Sequence, residues 1–272
     1  MGELRDSKGK KLPPFTIKGK DLSYLTLLDG ANWQQDSTLT SSLKLDFKRS
    51  KVDFKIIKKE STPDTKYELF QRLNTGGSFL TPQEIRNCLI IMANKDFFKK
   101  LEDLSKNDDF IEATSLSENQ EYQAYRMELV TRFVVLYAIT KYNSNKLVVG
   151  DVNSFFDKQI LQIATDTKFD FKGLKSIFDR TFDLICTVFN EDAFRKFNVK
   201  DKKHKGGFSI ALYEFISIGL AHKLTKYTKN TQALRKKVEG LASDKLYNES
   251  TGSGVRGSQR ITRMIPYSLK YF

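Results

Sequence analysis

The sequence predicts an α+β fold: a small, incomplete strand-and-helix part over residues 1–80, then a mainly helical bundle over 81–272. Three observations carry that expectation. Val52, Phe54 and Ile56 alternate with Asp53 and Lys55, the pattern of a half-buried strand. Thr81-Pro82-Gln83-Glu84 has the form of a capping box with Pro at the first helical position. Beyond it, apolar residues recur every three or four positions almost to the end of the chain.

In the first part, Asp29-Gly30 marks a turn, and Leu39, Leu43 and Phe47 are spaced by four, as in a short amphipathic helix. Thr62-Pro63 opens a further helix, with Tyr67, Phe70 and Leu73 on one face, which Asn74, Gly76 and Gly77 end. Ile85, Leu89 and Met92 give the capping-box helix a core stripe, with Cys88 on its buried side. Tyr125, Leu129, Phe133, Leu136 and Tyr137 predict a second stripe, and Phe155, Phe156 and Ile160 a third after the turn at Gly150-Asp151. Leu174, Phe178, Phe182, Ile185 and Phe189 predict a fourth, ending near Asn190. After a basic loop, Lys200 to Gly207, comes a fifth through Ile210, Tyr213, Ile216 and Leu220. The Ser/Gly-rich stretch from Thr251 leads into a last helix docking Ile265, Leu269 and Phe272.

Composition bounds the function. A hydrophobic content of 39% with 21 Phe and 11 Tyr is that of a packed protein and excludes wholesale disorder. The net charge of +13 favours polyanionic partners such as DNA, RNA or nucleotides, while lysine runs are also ordinary solvated faces. Cys88 and Cys186 are too few and too far apart for a disulfide framework or a thiolate metal site, and read as small core residues. With His204 and His222 the only histidines, no histidine-based metal motif can be built, and no metal or cofactor is expected as a requirement for folding. The charged start lacks an apolar signal core, and the longest apolar runs fall short of a membrane span, so a soluble, cytoplasmic protein is expected.

Two segments are candidate anion sites. A Gly-Gly turn before a helix start, with Arg72 and Arg86 near in sequence, can hold a phosphate or carboxylate; it can equally be a helical corner whose arginines pair with acidic neighbours. Arg256, Arg260 and Arg263 follow a glycine-rich loop into the last helix and are candidate nucleic-acid contacts, against the plainer reading of a surface loop before a docking helix.

Phe70, Arg72, Asn74, Gly76, Gly77, Leu80, Glu84 and Arg86 together resemble the signature of the N-terminal domain of GmrSD-type restriction endonucleases, within the ParB-like group of nucleotide-binding folds. Arg126 to Phe133 and the Ser/Gly/Arg-rich C-terminal stretch extend the resemblance more weakly. It implies a ParB-like remnant over 1–80, with Arg72, Asn74, Gly76, Gly77 and Arg86 holding nucleotide phosphates. It also implies an NTP with Mg2+ as cofactor of the full-length relative, and DNA, nucleotide and a nuclease protein as partners in restriction or anti-phage defence. The family's Asp-Gly-Gln-Gln-Arg element is not found, since Asp29-Gly30 runs into Ala31-Asn32-Trp33. An N-terminally truncated member with weak or absent hydrolysis is therefore expected, its incomplete sheet prone to self-association. The rivals are a non-enzymatic, basic nucleic-acid-binding protein and a degenerate, inactive gene product.

Overall fold

A computed structural model describes residues 10, 30–31, 39–51, 80–122, 124–142, 147 and 149–272. The chain divides into two compact units, Met1–Thr62 and Pro63–Phe272. The strand expected at Val52 to Lys58 and the helix expected from Pro63 lie outside the described residues, as do Arg72, Asn74, Gly76 and Gly77.

In the first unit, Gly30 takes a positive φ of 75°, as a turn there requires. Helix α1 spans Ser41–Arg49 and is capped by Thr40, whose side chain accepts from the Leu43 amide. Of the three residues expected on its apolar face, Leu39 is buried whereas Leu43 and Phe47 are exposed.

The described residues of the second unit are mostly helical. Helix α2 (Pro82–Ala93) starts at the expected capping box: Thr81 Oγ1 accepts from the Glu84 amide, and the Thr81 amide donates to Glu84 Oε2 at 2.7 Å. Its inward face differs from the expected stripe. Gln83, Arg86, Leu89 and Ile90 are buried, and Met92 is 55% exposed. The reason is Arg86, which turns inward to reach Asp157 and rotates Met92 to the outside.

Helices α3 (Lys95–Ser105), α4 (Asp108–Thr114) and α5 (Glu118–Tyr122) lead to α6 (Tyr125–Tyr142), and α7 (Val152–Thr165) and α8 (Phe171–Phe189) follow. Asn94, Asn107, Asp151 and Asp170 cap α3, α4, α7 and α8 through side-chain oxygens that accept backbone N–H groups. Phe110, Phe133, Phe178 and Phe182 meet at ring-centroid distances of 4.5 to 5.7 Å and form the aromatic centre of the core. These stripes are core, as expected.

The basic segment after α8 is a hairpin rather than a loop: β1 (Lys196–Asn198) pairs antiparallel with β2 (Lys203–Lys205). Helix α9 (Ile210–Ala221) is buried from Leu212 to Ala221 and packs against α6 and α8. Helices α10 (Leu224–Thr228), α11 (Thr231–Gly240) and α12 (Lys245–Thr251) precede the last, α13 (Gly257–Tyr271). That helix docks on α9 through Ile261, Met264, Ile265 and Phe272, with Leu269 partly buried against the core. A side chain at Gly219 would place its Cβ 2.9 Å from the Ser268 carbonyl and 2.5 Å from the Phe272 ring, so glycine sets how closely the two helices approach. Cys88 and Cys186 are half-buried, and burial pushes both thiols above their ordinary range. No helix among the described residues is long and apolar enough to cross a membrane.

Candidate functional site

The β1–β2 hairpin is built by local chemistry. Asn198 Oδ1 accepts from the amides of Lys200 at 2.9 Å and Asp201 at 3.1 Å, and Lys202 adopts φ 51° to turn the chain. Phe197 and His204 are paired across the strands and lie on the inner face, with His204 edge-on to Phe189 at 5.8 Å. Strand alternation then puts Lys196 directly opposite Lys205 on the outer, exposed face. Opposed like charges on a strand pair are unfavourable. Lys205 Nζ has a counter-ion in Asp201 Oδ2 at 2.5 Å, and Lys196 has no ion pair among the described residues.

Gly206 (φ 89°) and Gly207 carry the chain from the hairpin to α9. Ser209 caps that helix: its Oγ accepts from the Leu212 amide, and its own amide donates to the Phe194 carbonyl at 2.9 Å. The amides of Ile210 and Ala211, at the positive end of the helix dipole, have no backbone acceptor within the helix.

Arg260 of α13 completes the group. Its Nε donates to Glu214 Oε2 at 3.1 Å, while Arg132 Nη1 donates to Glu214 Oε1 at 2.6 Å. Arg132 also gives Nε and Nη2 to Glu128 Oε1, and its guanidinium lies 4.7 Å from the centre of the Phe156 ring. Burial works against the Arg132 charge, but Glu214 and Glu128 more than offset it and hold its pKa above the ordinary arginine value. Tyr125 sits beside this network; burial, then Glu128, pushes its hydroxyl up to about 12. Two arginines and two glutamates thus neutralise one another in the interior.

Lys196, Lys205, Gly207, Ser209, Gly252 and Arg260 line a cleft of about 420 Å3 at the start of α9. Its polar lining includes the cations of Lys196, Lys205 and Arg260, the hydroxyl-bearing Ser209, Tyr247 and Thr251, and the backbone N–H groups of the helix start, groups that can hold an oxyanion. Glu214 is already held by two arginines and is no free base. Among the described residues no group of three or more His, Cys, Asp or Glu is gathered as a bound metal ion would need.

Among the described residues that the sequence singled out, Arg260 is the one that lines this cleft. Arg256 precedes α13 as its exposed N-cap, and Arg263 is exposed one turn past Arg260. Arg86 is 2% exposed, its Nε on Asp157 Oδ1 at 2.7 Å and its Nη1 on Gln83 Oε1 at 2.5 Å. It is an internal tie between α2 and α7, the helical-corner alternative for that arginine. Lys196, Glu214 and Arg132 were not singled out by the sequence reading. A signal did exist for two of them, because Glu214 and Arg132 are ionised residues inside apolar helical runs, where a buried charge demands a partner. Comparison with protein-family models, curated proteins and solved structures finds no match to this chain.

Proposed function

We propose that the protein binds the phosphates of DNA or nucleotides as a cytoplasmic component of a nucleotide-dependent restriction or anti-phage defence system. The observation that carries the phosphate-binding part is the register of the hairpin. Lys196 and Lys205 stand opposite each other beside Arg260 and the open amides of a helix start. A bound phosphate would turn that electrostatic repulsion into attraction. The defence context is supported by the resemblance of Phe70 to Arg86 to the GmrSD-type signature and by the net charge of +13. On this reading an NTP with Mg2+ and a nuclease protein are the further partners.

Fluorescence anisotropy of labelled single-stranded and duplex DNA over a salt series tests it. Affinity should fall steeply with salt. Lys196→Glu with Lys205→Glu should weaken binding by more than about tenfold, whereas Lys158→Glu with Lys172→Glu, equal in charge and exposed on α7 and α8, should change it only slightly. Equal losses from both pairs would mean diffuse attraction and no site.

A further inference from the structure

We infer that the cleft holds one internal phosphate of a double-helical polynucleotide and that the exposed face of α13 meets the phosphates beside it; this rests on the reading above that the cleft takes phosphate. The charges around the cleft leave one cation over. Arg260 belongs to the balanced set with Arg132, Glu128 and Glu214, and Lys205 has Asp201 as its counter-ion, so Lys196 is the uncompensated one. A single net charge suits a phosphodiester, which carries one negative charge, better than a terminal phosphate, which carries about −1.5 to −2 at neutral pH. A phosphodiester is the link of a chain, and the chain leaves the cleft on both sides.

Helix α13, whose first turn brings Arg260 to the cleft, continues the positive charge. Arg256, Arg263 and Lys270 are exposed and lie seven residues apart, two turns of helix, so they share one face. Successive members are about 10.5 Å apart and the row is about 21 Å long. None of the three has an ion pair among the described residues. No Asp or Glu occurs from residue 250 to 272, although the chain has 33 acidic residues in 272. An ordinary solvated face mixes its charges: α3 sets Lys95, Lys99 and Lys100 among Asp96, Glu102 and Asp103. At its far end the row meets more cations, since Lys226 Nζ donates to the Phe272 carbonyl at 2.6 Å and Lys237 Nζ lies 4.3 Å from the centre of the Tyr271 ring.

A rigid row suits a rigid, densely charged polyanion. At one charge per about 1.7 Å of axis, a duplex as long as the row presents about a dozen phosphates. A single strand is more sparsely charged, and proteins hold it by stacking its bases on aromatic rings. The rings of α13 are turned inward: Tyr267 and Tyr271 pack on Phe215, and Phe272 is buried. What this face can grip is backbone, a contact that positions a duplex without reading its sequence.

Fluorescence anisotropy of the full chain with a labelled 24-bp DNA duplex and the matching single strand, each over a salt series, tests the inference. Arg256→Gln with Arg263→Gln and Lys270→Gln should weaken duplex binding by about tenfold or more and lower the salt slope by about two to three. Lys99→Gln with Lys158→Gln and Lys172→Gln, equal in charge and exposed on α3, α7 and α8, should leave the slope nearly unchanged. Lys196→Gln with Lys205→Gln reports on the cleft by itself. If the α13 variant behaves like the control while the cleft variant loses binding, the row is wrong and the phosphate cleft stands. If neither differs from the control, the phosphate reading falls as well. A single strand bound as tightly as the duplex would overturn the duplex assignment. Should the triple α13 variant melt early, Arg263→Gln alone should still lower the slope by about one, and an unchanged slope there would sink the row.

Discussion

Arg132 and Lys196 carry the same charge in the same helical unit, and their surroundings differ in every other respect. Arg132 is buried between Glu128 and Glu214, with Arg260 on the far oxygen of Glu214 and Phe156 against its face. Lys196 is exposed on a strand, opposed by another lysine. The interior network is balanced, since charge taken out of water is tolerated only when paired. The hairpin is unbalanced, and solvent screening is what lets it be so. The excess of positive charge therefore says nothing about the core and much about the surface.

The largest effect that would break this contrast is expected at Glu214. Glu214→Ala leaves Arg132 and Arg260 facing each other and should cost about 3–5 kcal/mol in urea unfolding. Replacing Glu214 and Arg132 together by Leu and Met should cost clearly less, because no unpaired charge remains. A single-variant loss under about 1 kcal/mol would mean that Arg132 finds water and that the interior is no different from the hairpin.

Arg86 is the next test. Arg86→Ala removes its bonds to Asp157 and Gln83 and should lower stability by about 1.5–3 kcal/mol, less than at Glu214 because Asp157 is partly exposed. A melt with no shift would return Arg86 to the list of free anion ligands.

His222 probes the interior by pH. It caps the end of α9, with its Nε2 2.9 Å from Thr140 Oγ1, and burial, then Lys223 and Lys141, lower its pKa below 6.5. The folded state thus takes up the proton less readily than the unfolded chain does. Its contribution is complete above pH 6.5 and is lost as the pH falls from there through the folded value. Tm should fall between pH 7.5 and 5.5, and His222→Gln should flatten that slope; an unchanged slope would show that other groups set it.

The smallest effect has the opposite sign. Lys196→Thr removes one of two opposed charges and should leave stability unchanged or raise it by a few tenths of a kcal/mol, by the scale of cross-strand pairs of about 0.2–1 kcal/mol. The same change should weaken phosphate binding. A protein that loses stability and keeps its binding would reverse the comparison.

Much of the helical unit could be read from the sequence, and the reason is local. Thr81 to Glu84 make their own capping box, and Asn190 ends α8 near the expected point, because such signals involve residues a few positions apart. What escaped depends on distance in the chain. The rotation of α2 follows from Arg86 meeting Asp157, and α9 carries Glu214 because Arg132 lies 82 residues earlier. The hairpin escaped for another reason: its strands are three residues each and rich in lysine, too short and too polar to show alternation. In the candidate site, Arg260 was visible from its place after a glycine-rich loop. Its partner Lys196 was not, since only the register of the turn brings it opposite Lys205.

Gly219 has a consequence for how the protein is made. Helix α9 is buried along nearly its whole length, and one of its walls is α13, drawn close at the only kind of residue that permits Ser268 and Phe272 to approach. On the ribosome α9 emerges well before α13. In that interval a strongly apolar helix lacks part of its final cover, the situation in which nascent chains stick to one another or are held by chaperones. The close fit at Gly219 thus makes the order of synthesis a hazard that the last helix resolves.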